Sequence, residues 1–169
     1  MRGRPRYPAI HVVTCFLMRR GLLLILRRSE TVGTYRCKWA GVSGHVEKGE
    51  APSGTAFREI LEETGLSSRD IELRHAGAPL PIALTNFVVH PFLFEVGKGR
   101  IRTDWEHTAH RWIRPSELRR FGTVPGLAEA LRSVLRESST LHSARVKSLS
   151  SSPTSKRPSR AAASSHPCA

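Results

Sequence analysis

The sequence has few cysteines and no long uninterrupted apolar stretch. Its three cysteines, Cys15, Cys37 and Cys168, are too few and too scattered for a disulfide framework or a zinc site. Arginine pairs at 19–20 and 27–28 interrupt the two most apolar segments, so no run approaches the roughly 18 residues that suggest a membrane span. These absences argue against a membrane protein and favour a reducing compartment. We therefore expect a cytoplasmic protein, with organellar or nuclear targeting left open.

Acidic residues are also scarce, and they are unevenly placed. The chain has 14 Asp and Glu against 27 Lys and Arg, for a formal net charge of +13. Half of the acidic residues fall between Glu47 and Glu72, so one acidic segment lies within a basic molecule. Such a field would attract an anionic substrate. A strongly basic chain is also typical of nucleic-acid binders, but no recognition helix, zinc knuckle or aromatic RNA-binding signature accompanies the charge, so nucleic acid is not expected as the primary partner.

Length and composition predict one domain with two extensions. The 169 residues suffice for a single self-supporting core. Residues 1–9 are predicted to be a basic N-terminal extension, 10–137 the folded domain, and 138–169 a disordered tail dominated by serine, proline, alanine and basic residues.

Apolar patterning within 10–137 predicts strands and helices in alternation. The predicted strands are 10–18, 22–27, 38–42, 71–76, 87–96 and 110–113, and the predicted helices are 51–64, a short one from 115 and 127–136. Segments 29–37, 43–49 and 77–86 are predicted to be loops. Strands before and after helices with apolar faces indicate an α/β protein with a mixed sheet between helices.

The segment Gly44–Leu66, with the sequence GHVEKGEAPSGTAFREILEETGL, carries the strongest functional signal. Pro52 suits the first turn of a helix and Gly65 a position just past its end. On that helix Glu59, Glu62 and Glu63 are spaced i, i+3 and i+4, which places three mutually repelling carboxylates on one side. A hard divalent cation relieves this repulsion, because Mg²⁺ takes carboxylate and phosphate oxygens as ligands. The alternative is a solvated acidic helix face.

The same segment resembles the Nudix box, G-x5-E-x7-R-E-U-x-E-E-x-G-U with U aliphatic, and matches it at every position. The resemblance extends over about 10–137, through the hairpin before the box and the tryptophan-containing strand after it. It implies a Nudix-type α/β/α sandwich with a mixed sheet. It also implies a pyrophosphohydrolase that cleaves nucleoside diphosphate derivatives and requires Mg²⁺ or Mn²⁺. It does not name the substrate.

By this resemblance, Glu59, Glu62 and Glu63 are the expected metal ligands. Arg58 is expected to hold a box glutamate by a charge-assisted hydrogen bond. The general base is expected to be Glu59 or Glu106, a glutamate in the loop before the last strand.

Other positions of the box have supporting roles in the prediction. Glu50 is a candidate outer carboxylate, and backbone carbonyls near Ser43 and Gly44 are candidate ligands. Gly44 is expected to permit a tight loop and Gly65 to cap the helix. His107 and His110 lack a second ligand pair, so they do not indicate a zinc site.

The substrate is less well specified by the sequence. Aromatic candidates for stacking on a nucleobase are Tyr35, Trp39, Phe87 and Trp105. The loop preceding the box resembles Nudix members acting on nucleoside triphosphates or dinucleoside polyphosphates, which are the expected substrates; nucleotide sugars, ADP-ribose and capped RNA ends remain open. A second hypothesis is a catalytically inactive Nudix-like domain that senses nucleotides or binds RNA. The oligomeric state is not predicted.

Overall fold

A computed structural model of the chain describes the backbone of residues 8–149 and the side chains of residues 8–140. The elements follow in the order β1 (Ile10–Arg19), β2 (Leu22–Arg28), β3 (Trp39–Ala40), β4 (Val42–His45), α1 (Pro52–Thr64), β5 (Ile71–Ala76), β6 (Leu80–Pro81), β7 (Phe87–Val96), β8 (His107–Ile113), a 3₁₀ helix (Pro115–Arg120) and α2 (Leu127–Leu149).

The eight strands form one mixed sheet in which β1 is central. β1 pairs in parallel with β7 along its length, from Ile10 opposite Phe87 to Met18 opposite Glu95. Its other edge is shared, because β4 pairs antiparallel with its first half and β2 with its last two residues. β2 then continues the sheet by antiparallel pairing with β8 and β3, and β7 with β5 and β6.

Alternating side chains on the central strands supply two separate cores. Val13, Cys15 and Leu17 of β1 point to the face covered by α1, where Ala56 and Ile60 meet them. Phe16, from the same strand, points to the opposite face, together with Leu23 and Ile25 of β2. That face is covered by the α2 residues Leu127, Ala130, Leu131 and Val134. The predicted α/β/α sandwich with a mixed sheet is confirmed.

Helix α1 has the ends that the sequence predicted but a different buried face. It starts at Pro52, and Gly65 ends it with φ of +70° and an N–H donated to the carbonyl of Leu61. Ala56, Ile60 and Glu63 are buried at i, i+4 and i+7. The helical spacing of Ala56, Phe57, Ile60 and Leu61 predicts that all four face the core. This prediction is wrong for Phe57 and Leu61, which lie on the partly exposed side of the helix.

Four predicted loops or boundaries differ from the structure. Residues Val42–His45 form a strand because they pair with β1, and Leu80–Pro81 pair with β7 inside a predicted loop. The last strand starts at His107 rather than at 110. Helix α2 runs to Leu149, past the predicted start of the tail at 138, so residues 138–149 are helical rather than disordered. Positions 1–7 and 150–169, which carry most of the predicted extensions, lie outside the described residues.

Within residues 8–149, no helix combines the length and the hydropathy that crossing a membrane requires.

Candidate active site

A cleft of about 320 Å³ is lined by segments that lie far apart in the sequence. Its apolar wall consists of Val12, Ile82, Phe87, Val89, Val124 and Leu127. Its polar wall includes Arg28, Gly44, Arg58, Glu59 and Glu106. An apolar cleft with a few converging charged groups is the usual form of a small-molecule site.

Strand β4 and helix α1 set the position of Glu59. The Glu59 side chain packs directly over Gly44, where an added Cβ would overlap its carboxylate and lie 2.5 Å from its Cγ. Gly44 lies in β4, and no tight turn is formed at this position. The predicted role of Gly44 in a tight loop is therefore wrong: the glycine leaves the space that the Glu59 carboxylate fills.

Arg58 connects the carboxylates around this helix. Its Nη1 lies 2.7 Å from Glu59 Oε1 and 3.5 Å from Glu62 Oε2, and its Nε and Nη2 donate to the two oxygens of Glu50 at 3.3 and 3.2 Å. These hydrogen bonds from Arg58 lower the pKa of Glu50. Arg58 therefore provides a positive charge that offsets the repulsion among these glutamates.

The three candidate metal ligands do not have equivalent environments. The side chain of Glu63 is 4% exposed and that of Glu59 12%, whereas that of Glu62 is 57% exposed. Glu59 lines the cleft and Glu63 lies on the buried face of α1 next to Ser43, whose N–H is 3.4 Å from Glu63 Oε1. Glu62 instead points to solvent beside Arg58.

Burial and neighbouring negative charges destabilise the ionised forms of Glu59 and Glu63. Burial raises the pKa of Glu63 well above its ordinary value, and the charges of Glu59, Asp104 and Glu106 add to the effect. Burial also raises the pKa of Glu59, against the charge of Arg58. Both shifts indicate a site that is short of positive charge.

The loop before β8 contributes Glu106 to the cleft from a segment far from the box in sequence. Its position is fixed because the Glu106 N–H donates to Asp104 Oδ1 at 3.1 Å, and its carbonyl accepts the N–H of Ser29 at 2.7 Å. The structure thus brings Arg58, Glu59 and Glu106 to one cleft.

Sequence reasoning did not identify Asp104, Arg28 or the buried His107 as parts of this region. Arg28 lines the cleft and donates from Nε to the carbonyl of Thr34 at 3.1 Å. Asp104 and His107 are spaced i, i+3, which is a turn signature that the sequence could have indicated. Pattern alone could not have separated the half-buried Arg28 from the other arginines.

Of the four aromatic candidates for base stacking, Tyr35 and Phe87 line the cleft. Trp39 packs edge-on against Phe121 in the α2-side core, which is a structural role. Trp105 does not line the cleft, but it is 71% exposed and directly precedes Glu106, which does.

The residues of the site are suited to a divalent cation in their donor chemistry. Glu63 Oε2 is buried and has no hydrogen-bond partner among the described residues. Carboxylate oxygens are the donors that Mg²⁺ and Mn²⁺ prefer, and this buried one is left without another partner among those residues. Within residues 8–140, however, no three His, Cys, Asp or Glu side chains are arranged to enclose an ion by themselves. Sites of this class complete their ligand sphere with water and substrate phosphate.

The match to one relative in sequence extends over only part of that protein. An octanoyltransferase of Myxococcus xanthus is 35% identical over 120 residues, which are 66% of this chain and 31% of that protein. The chain thus spans about a third of the length of this curated relative.

Solved structures share the fold more completely. The MutT protein of Methanosarcina mazei Go1 matches with a TM-score of 0.62 and 25% identity, over 79% of this chain and 98% of that one. A binary complex of the C. elegans Ap4A hydrolase matches with a TM-score of 0.63 and 18% identity, over 78% and 98% of the two chains.

The family model of the NUDIX domain matches residues 7–135, which include the cleft and every residue assigned to it above. The chain therefore belongs to the NUDIX domain family, with residues 7–135 as its Nudix domain.

Proposed function

We propose that this protein hydrolyses the diphosphate linkage of a nucleoside triphosphate or a dinucleoside polyphosphate, with Mg²⁺ or Mn²⁺ as the required cation. The observation that carries the proposal is a pair of box carboxylates: Glu59 lines the cleft over Gly44, and Glu63 is buried with an unsatisfied oxygen. A site that binds its substrate without a cation has no need of these carboxylates.

Glu59 and Glu63 are the proposed inner ligands, and Glu62 has to turn from solvent to join them. A bound divalent cation supplies charge neutralisation of the polyphosphate and a water of lowered pKa. The chain's own residues hold the carboxylates in place: Arg58 fixes Glu59 at 2.7 Å, and the Ser43 N–H lies 3.4 Å from Glu63.

Glu106 is the proposed general base, with Glu59 as the alternative inside the box. Glu106 reaches the cleft from the loop before β8, whereas Glu59 and Glu63 lie on α1. A base on a separate segment can accept the proton of the attacking water while the box carboxylates remain engaged. Glu59 already pairs with Arg58, which lowers its availability as a base.

The cleft favours a nucleoside as the group next to the diphosphate. Its wall of aliphatic side chains with Phe87 offers an apolar surface for a base, and Arg28 offers positive charge for the phosphates. At about 320 Å³ the cleft is at the small end of ligand pockets. It therefore suits one nucleoside, and the rest of a dinucleoside substrate would extend outside.

The test is a substrate panel with Mg²⁺ or Mn²⁺, comprising nucleoside triphosphates, dinucleoside polyphosphates, nucleotide sugars, ADP-ribose and capped RNA. We expect release of a nucleoside monophosphate from a triphosphate or dinucleoside polyphosphate, lost in Glu63→Gln and retained in the control Glu72→Gln, which changes an exposed carboxylate on β5. Glu62→Gln decides whether the third carboxylate takes part. Tight nucleotide or RNA binding without any hydrolysis would establish the inactive sensing domain instead.

A further inference from the structure

His107, at the start of β8, is a buried histidine that none of the roles above uses. Its side chain is 1% exposed. Its Nδ1 lies 3.0 Å from Asp104 Oδ1, and its Nε2 lies 3.7 Å from Glu63 Oε2. The last distance is short enough for an ion pair and too long for a hydrogen bond.

Two unsatisfied polar atoms therefore face each other beneath the cleft. His107 Nε2 and Glu63 Oε2 are both buried, and neither has a hydrogen-bond partner among the described residues. Buried polar atoms are nearly always paired, so a facing pair of orphans calls for an explanation. An aliphatic residue at position 107 would pack in the same space without that cost.

Asp104 determines which way the imidazole points. Its Oδ1 accepts the N–H of Glu106 at 3.1 Å and lies 3.0 Å from His107 Nδ1, so one carboxylate organises both neighbours. With Nδ1 engaged by Asp104, the ring is held with Nε2 directed at Glu63. A carboxylate that orients a histidine, which in turn meets a ligand, is an arrangement typical of the surroundings of metal sites.

We propose that His107 is a positioning residue that, anchored by Asp104, holds the carboxylate of Glu63 in the orientation needed to bind the cation. The inference rests on the proposed function in one respect, the assignment of Glu63 as a ligand. His107 itself touches neither substrate nor cation in this scheme. With both ring nitrogens protonated, Nδ1–H donates to Asp104, and a small rotation of either side chain closes the gap of 3.7 Å so that Nε2–H donates to the Glu63 carboxylate.

Direct binding of Mn²⁺ to the substrate-free protein, measured by electron paramagnetic resonance at constant pH, tests the proposal. His107→Leu removes the polar contact and keeps an apolar side chain, while His107→Gln keeps an N–H donor that does not titrate. His110→Gln is the matched control, because His110 is exposed on the same strand. Loss of an outer-shell partner typically weakens metal binding by about 10- to 100-fold.

We expect His107→Leu to raise the Kd for Mn²⁺ by about 10-fold or more, and His107→Gln to stay within about threefold of the wild type. His110→Gln should bind as the wild type does. Unchanged Mn²⁺ affinity in His107→Leu would overturn the proposal, as would an equal loss in the Leu and Gln variants, which indicates packing alone. If His107→Leu does not fold, Asp104→Ala provides the second variant, and it should weaken Mn²⁺ binding by releasing the ring.

The same experiment separates this inference from the proposed function. Absence of Mn²⁺ binding in the wild type would refute the assignment of the box carboxylates as ligands. Normal binding in the wild type with no effect in either His107→Leu or Asp104→Ala would refute only the positioning role.

Discussion

Replacing Gly44 by alanine should inactivate the enzyme without unfolding it. The new Cβ would overlap the Glu59 carboxylate and lie 2.5 Å from Glu59 Cγ, whereas real Cβ atoms keep at least 3.0 Å from such neighbours. The backbone of β4 is held by pairing with β1, so the side chain has to move. Clearing the overlap moves the carboxylate by about 1 Å, and a displacement of that size costs roughly 100-fold in rate. This corresponds to about 2.7 kcal/mol of transition-state stabilisation.

The assay is kcat with the best substrate of the panel, accompanied by the melting temperature. A carboxylate tip can rotate away cheaply, so we expect the melting temperature to fall by no more than about 4 °C. Gly54→Ala is the matched control: it lies on α1 in open space, and the exchange should leave kcat unchanged and stabilise by up to about 1 kcal/mol.

The double variant Gly44→Ala with Glu59→Gln tests the cause. If Gly44 acts only through Glu59, the double variant should be no slower than Glu59→Gln alone. Full activity of a folded Gly44→Ala protein would refute the reasoning, as would a double variant slower than either single one by the product of their effects.

Three further predictions concern the charged groups. Arg58→Lys should lower kcat by about 10-fold, because a lysine cannot bond both oxygens of Glu50 while holding Glu59, and kcat at saturating substrate and cation checks this. With a chelator present, the wild type should melt at a progressively lower temperature relative to Glu63→Gln as pH rises from 5 to 8. The pKa of Glu63 is raised in the fold, so the folded state favours its protonated form. The stability that this form contributes is lost as pH rises through the folded-state pKa. A constant difference would contradict the buried carboxyl. Glu106→Gln should lower kcat by about 100-fold or more and leave the Kd for Mn²⁺ unchanged, which separates a base from a ligand.

The layer architecture could be predicted from the sequence because local patterns dictate it. Alternation in Ile10–Arg19 sends Val13 and Phe16 to opposite cores, and Pro52 and Gly65 delimit α1. The parallel pairing of β1 with β7 could not be read from the chain, because pairing partners distant in sequence leave no local signal. The continuation of α2 to Leu149 was missed because the serine-rich composition after position 137 was interpreted as a disordered tail.

The box could be predicted as a motif, but its geometry could not. Spacing places Glu59, Glu62 and Glu63 on neighbouring parts of one helix surface, yet only the packing of α1 against β4 decides that Glu63 is buried and Glu62 exposed. The role of Gly44 was misassigned because a glycine in sequence suggests a turn, and the Glu59 side chain that needs its missing Cβ is visible only in three dimensions.

The central position of β1 has a consequence for how this chain folds as it is synthesised. β1 acquires its longest neighbour only when β7, ending at Val96, has left the ribosome. At about 5–20 residues per second, the completed first strand waits roughly 4–15 s for that partner. During this interval β2, β4 and α1 can cover part of its apolar side chains, whereas β7 and α2 are not yet available. A chaperone that recognises exposed aliphatic strands could bind β1 during this interval, before the sheet that packs against α1 is complete.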